Sequence, residues 1–206
     1  MSLTFYTNPM SRGQIARWAL HEAGAQYDQV LLDYDTTMKG EDYLAINPMG
    51  KVPAIVHDGR IVTECAAICA YLADTFPDSG LAPTEDERAD YYRWMFFAAG
   101  PVEAAVMHKT LELEVDPEKE RMLGYGNFDR VIDVLDQKLS DSDYICGDRF
   151  TMADVYVGSH VDWGQQFGSM PERDSFQAYA QRLRDRETYK ASKAVDAALM
   201  PEQAAS

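Results

Sequence analysis

Cysteine is scarce. Three occur in 206 residues, at Cys65, Cys69 and Cys146, and no two form a CxxC pair. A disulfide framework is not expected, and the chain reads as one suited to a reducing compartment. The four histidines, His21, His57, His108 and His160, show no metal-ligand spacing, so no metal is expected. No run approaches the ~18 apolar residues of a membrane span. The start, MSLTFYTN, carries neither the basic residues nor the apolar stretch of a secretory signal. The expected location is therefore cytoplasmic, with no membrane partner. Basic residues are outnumbered, 19 Lys and Arg against 34 Asp and Glu, for a net charge of -15. Such a chain repels phosphate backbones, which argues against a nucleic-acid partner. Repeats and low-complexity segments are also missing.

What is present suits one large or two small domains with an ample core, at 46% apolar residues. Leu3-Thr4-Phe5-Tyr6 alternates as a first strand. A turn over residues 7–11 leads to a helix over about 12–23, with Ile15, Trp18, Ala19 and Ala23 on one face and Gly24 as its stop. Residues 27–32 read as a second strand, and 33–46 as an irregular, partly helical connection. Ala54 to His57 and Arg60 to Thr63 flank Asp58-Gly59, a strong hairpin signal. A helical pattern follows from about Glu64-Cys65. The order β-α-β-α-β-β-α is that of a thioredoxin-like domain, placed at residues 1–80.

Phe76 to Pro83 punctuates the chain, and residues 84–206 read as an all-helical domain. Helical spacing runs over about 85–113, where Pro101 predicts a kink, and over 118–139. Shorter helices are predicted at 152–167, 174–184 and 188–199. Thr151 and Asp154 have the spacing of a capping box.

The stretch from Ile46 to Cys69 carries the ligand chemistry. Pro53 enters a strand directly after the turn Asn47-Pro48-Met49-Gly50, the commonest setting for a cis peptide bond. A cis Val52-Pro53 bond turns the N–H and C=O of Val52 outward, where an extended peptide can pair with them. The helix start near Cys65 offers unpaired N–H groups that suit a carboxylate, and Glu64 suits an amine. The same residues also fit an ordinary turn, hairpin and helix cap.

Asn47-Pro48-Met49-Gly50-Lys51-Val52-Pro53, followed by Thr63-Glu64-Cys65-Ala66-Ala67-Ile68, resembles the glutathione-binding signature of the cytosolic glutathione transferases. The chain start and the motif at 147–154 extend the resemblance over nearly the whole length. One departure is Cys65, where that family usually has Ser or Thr; a thiol is a weaker donor. The resemblance implies glutathione as co-substrate, bound by Val52, Pro53, Glu64, Cys65 and, at the second carboxylate, Lys39 and Lys51. It implies that Ser11 stabilises the glutathione thiolate, with Arg12 and Tyr6 as rivals by their position. Read alone, a serine before a helix is a plain N-cap. No cysteine lies in the 6–13 loop, which disfavours a mixed disulfide. The implied reaction is thiolate attack on a small electrophile, mostly apolar, in the helical domain, with Met10, Met107 and His108 as candidate lining. Glutathione-dependent peroxidase or disulfide reductase activity, or a non-catalytic binding or chaperone role, are the alternatives. A homodimer is also implied, with Tyr92, Phe96 and Phe97 as candidates to cover a partner.

Overall fold

The alternation in LTFYT puts Leu3, Phe5 and Thr7 on one buried face of the first strand, β1 (Leu3–Thr7). In the computed structural model, which describes residues 2–200, β1 is one of the two inner strands of a four-stranded sheet ordered β2-β1-β3-β4. It runs parallel to β2 (Asp28–Leu31), so a crossover must join them. That crossover is helix α1 (Gly13–Glu22). β1 runs antiparallel to β3 (Ala54–His57), which turns through Asp58 and Gly59 into β4 (Arg60–Thr63). Both turn residues have positive φ, 47° and 79°, as a two-residue hairpin of the right twist requires. Helix α3 (Cys65–Thr75) follows β4 and packs beside α1.

Phe5 pairs with Ile55 and Tyr6 with Ala54, so the two pairs lie on opposite faces of the sheet. The Arg17 guanidinium of α1 sits 5.2 Å from the Phe5 ring centroid. Tyr6 and Val52 instead pack against a cluster of Leu32, Met38, Tyr43 and Ala54. Met38 and Tyr43 come from a short 3-10 turn, Thr37–Lys39, and from α2 (Glu41–Leu44), the partly helical connection the sequence anticipates.

A second compact unit spans Pro83–Arg184. It holds α4 (Arg88–Phe97), α5 (Glu103–Thr110), α6 (Phe128–Asp141), α7 (Met152–Gln166) and α8 (Asp174–Arg184). Between α4 and α5 the chain makes a π-helical turn over Ala98–Val102 that contains Pro101. Proline has no N–H to donate and crowds the preceding turn, so the helix widens into a π-helical turn at the place where the kink is predicted. The helix predicted over 118–139 is shorter. Pro117–Met122 forms a 3-10 segment, Gly126 takes φ 70°, and α6 begins only after Asn127, whose side chain caps it. The capping box of Thr151 and Asp154 is formed at the start of α7. Asp154 also accepts hydrogen bonds from Ile145 N–H (2.7 Å) and the Tyr179 hydroxyl (2.7 Å). Burial pushes its carboxyl up to about 6 despite those donors.

The last helix, α9 (Glu187–Ala198), groups with the first unit, where the sequence reading placed it with the helical domain. The reason is charge. Arg17 on α1 is fully buried, and its Nε donates to Asp196 on α9 at 2.8 Å. Arg17 also donates to the Tyr27 hydroxyl (2.9 Å) and to Gln29 (3.0 Å). At the other end of the interface, Arg186 makes two bonds to Glu22 of α1 at 2.6 and 2.7 Å. Trp18 and Tyr189 meet edge to face at 5.1 Å. No helix among the described residues is long and apolar enough to cross a membrane.

Candidate functional site

The loop from β1 to α1 is held at successive carbonyls. Asn8 O accepts both the Ser11 hydroxyl (2.6 Å) and the Ser11 N–H (3.2 Å). Pro9 O accepts the Gln14 amide at 2.6 Å, and Met10 O accepts the Tyr34 hydroxyl at 2.9 Å. The Asn8 side chain bridges the loop to Leu32 O (2.8 Å) and to Met10 N–H (2.9 Å). Ser11 Oγ also accepts the N–H of Gly13, the first residue of α1, at 2.9 Å. Ser11 therefore acts as a cap in this state, while remaining partly exposed. Gly13 is required sterically: a Cβ there lies 2.0 Å from Thr7 Oγ1 and 2.9 Å from Ser11 Oγ. The Thr7 hydroxyl is itself buried with no hydrogen-bond partner among the described residues.

Arg12 is exposed, and its carbonyl accepts a weak bond from the Cys65 thiol at 3.7 Å. That contact brings the start of α3 against the start of α1. Glu64, the residue before α3, takes φ 64° and ψ 118°, a conformation that costs a side-chain-bearing residue of order 1–3 kcal/mol. Among the described residues no side chain caps α3, so its first N–H groups are left without a side-chain acceptor at the positive end of its dipole. The Glu64 carboxylate is exposed beside them. Cys65 is 8% exposed and Cys69 0%. The Cys65 contact and burial push the Cys69 thiol well above its ordinary range, which makes it a poor nucleophile.

The Val52-Pro53 peptide bond is cis, as expected. The N–H and C=O of Val52 make no hydrogen bond among the described residues. The preceding turn is fastened from below: Lys51 O accepts the Tyr43 hydroxyl (2.6 Å) and the Asn47 amide (2.8 Å). Burial raises that tyrosine to about 12, so it stays a neutral donor. Lys39 gives its ammonium to Gly50 O at 2.6 Å, which commits it in part to the turn; Lys51 is exposed.

The structure thus brings Ser11, Arg12, Glu64 and Cys65 to the adjoining N-termini of α1 and α3. It places Tyr6 elsewhere, on the opposite sheet face, with its ring 5.5 Å from that of Tyr43. The sequence reading missed Thr7 and Gln14. The run Thr7 to Gln14 marks a turn into a helix, but nothing in it singles out these two. Met10 is exposed in the first unit. In the helical unit, His108 Nδ1 lies 2.7 Å from the Tyr125 hydroxyl, at a cavity of about 210 Å³ also lined by Ala105, Leu113 and Phe128.

A thioredoxin-like sheet unit followed in sequence by an all-helical unit is the architecture of two-domain glutathione-dependent enzymes, and the comparisons agree. Residues 1–74 match the glutathione S-transferase N-terminal domain and residues 101–187 the C-terminal domain. The glutathione S-transferase GstA of Escherichia coli O157:H7 is 31% identical over 176 residues, 81% of this chain and 85% of that protein. A glutathione transferase from Methylococcus capsulatus superposes with a TM-score of 0.77 at 25% identity, covering 95% of this chain and 99% of the other. A sphingomonad glutathione S-transferase complexed with glutathione superposes at 0.75 with 28% identity, covering 94% and 98%. The chain belongs to the glutathione S-transferase family and is a glutathione transferase.

Proposed function

We propose that the first unit binds glutathione across the adjoining helix starts and that Ser11 holds its thiolate. The observation that carries this reading is the adjoining of the uncapped start of α3 and the partly exposed Ser11 at the start of α1, on the same unit as a Val52 main chain with no hydrogen bond among the described residues. The peptide's central amide pairs with Val52. Its γ-glutamyl carboxylate takes the N–H groups of α3, and its amine takes Glu64. Lys51, with Lys39 behind it, faces the glycyl carboxylate.

Ser11 can then turn its hydroxyl from Asn8 O to the sulfur. Asn8 O is not abandoned, because the Ser11 N–H already bonds it. A free thiol titrates near 8.5. One hydrogen bond and the positive end of α1 together lower that by roughly 2 units, or ~3 kcal/mol. The thiolate attacks a small electrophile, mostly apolar; the helical unit, by itself, has a cavity with apolar walls at Leu113 and Phe128. Of the aromatic residues expected to face a second copy, Phe96 is 72% and Tyr92 46% exposed, in keeping with a homodimer. Phe97 instead packs on Trp94, centroids 5.3 Å apart.

The test is Ser11→Ala. The pKa of bound glutathione should rise by ~1–2 units, since a hydrogen bond to a charged group is worth about 1.5–3 kcal/mol. Turnover at neutral pH should fall about tenfold or more and partly recover at alkaline pH, while binding of an S-alkyl glutathione barely changes. A parental thiol pKa in this variant, with a shift in Arg12→Ala or Tyr6→Phe, moves the role to that residue.

A further inference from the structure

Gln14 lies in the first turn of α1 and has two polar partners outside its helix. Its Nε2 donates to Pro9 O at 2.6 Å, inside the loop that carries Ser11. Its Oε1 accepts from Lys193 Nζ at 2.7 Å, on α9. An amide can face either way, but here both neighbours are one-sided. A lysine ammonium only donates and a carbonyl only accepts. Lys193 therefore decides which end of the amide points at the loop. The ammonium is itself placed by the Tyr189 ring, 5.4 Å below it. The chain of bonds runs Lys193 to Gln14 to Pro9, and Pro9 is two residues from Ser11.

We infer that Gln14, oriented by Lys193, is a positioning residue for the thiolate site, so that the docking of the last helix sets the placement of Ser11. The other two carbonyls of the loop are served by Ser11 itself and by Tyr34, which leaves Pro9 O dependent on Gln14. Polarisation by the ammonium strengthens the amide's donation to Pro9 O. When Ser11 turns its hydroxyl toward a sulfur, Asn8 O keeps only the longer Ser11 N–H bond at 3.2 Å, and the Gln14 tether at Pro9 O helps to keep the backbone in register. This inference rests on the reading of Ser11 given above.

The experiment compares Gln14→Leu, Gln14→Glu, Lys193→Met, Lys193→Arg and Ser11→Ala by two measurements: the pKa of bound glutathione from its thiolate absorbance, and the melting temperature. Gln14→Leu should raise the thiol pKa by about one unit, equivalent to one lost hydrogen bond. Gln14→Glu should raise it as well, because a carboxylate cannot donate to Pro9 O, yet its melting temperature should hold or rise through the new ion pair with Lys193. Lys193→Met should shift the pKa in the same direction by less, and Lys193→Arg should restore the parental value. If Ser11→Ala raises the pKa and neither Gln14→Leu nor Lys193→Met does, the positioning role is wrong. A shift in Gln14→Glu alone reports the added charge and also overturns it. An unshifted Ser11→Ala removes the Ser11 reading first, and this inference with it.

Discussion

Replacing Asp154 by alanine tests the helical unit where its energetics are most concentrated. The carboxylate accepts from Ile145 N–H, Thr151 N–H, the Thr151 hydroxyl and the Tyr179 hydroxyl, at 2.7, 2.8, 3.2 and 2.7 Å. A solvent-exposed N-cap is worth ~1 kcal/mol. Here the side chain is fully buried, so its removal strands two main-chain donors and a phenol. Each stranded donor costs roughly 1–3 kcal/mol, and one water entering the space can serve some of them. The expected loss is about 3–5 kcal/mol, or a fall in melting temperature of about 6–20 °C for a chain of this size. Asparagine should lose about half as much, since its carbonyl still serves two donors while its amide confronts the others.

The pH dependence supplies a second check. Burial raises the native carboxyl from 3.8 to about 6. Between those values the unfolded chain has released its proton and the native chain has not, so the contribution of this group falls as pH rises through the window. The alanine chain lacks that slope. Its deficit should therefore be greater at pH 5 than at pH 7, by ~1 kcal/mol per pH unit within the window. Guanidinium unfolding at both values measures this. A deficit below about 1 kcal/mol at pH 7 would show that the four bonds are not holding the unit together.

Asp196→Ala leaves the Arg17 guanidinium buried without its carboxylate and should cost about 3–5 kcal/mol in denaturant unfolding; a loss under 1 kcal/mol would mean that α9 is held by its other contacts, the Arg186–Glu22 pair among them. Glu64→Gly relieves the positive φ and should stabilise by about 1 kcal/mol, while weakening S-methylglutathione at least tenfold by calorimetry through the lost amine partner. Equal affinity in that variant removes Glu64 from the binding account. Cys65→Ser replaces a weak donor with a strong one and should tighten glutathione a few-fold. Unchanged or weaker binding would mean that the backbone N–H alone serves there.

Local features carried most of what the sequence showed. The hairpin at Asp58-Gly59, the cis bond before Pro53, α8 over Asp174–Arg184 and the Thr151–Asp154 cap are each specified within a few neighbouring residues. Residues 118–127 misled because apolar spacing continues back from Phe128, while Gly124, Gly126 and the capping Asn127 break the helix. The strain at Glu64 had no sequence signal, since its residue type does not favour positive φ. Nor did the grouping of α9 with α1, because Arg17 and Asp196 stand 179 positions apart and no periodicity names a partner at that distance. The same holds for Gln14, which reads as an ordinary polar residue on a helix until Lys193 is placed beside it.

That separation bears on how the chain is made. During synthesis the strands and α1 emerge first, and the carboxylate that neutralises Arg17 follows 179 positions after it. The helical unit, contiguous from Pro83 to Arg184, has every residue it needs before then and can fold as the earlier piece waits. A nascent chain stalled before residue 196 presents an uncompensated guanidinium on a helix meant for the interior. The Arg17 pair that fastens the sheet unit can therefore form only once α9 has been made.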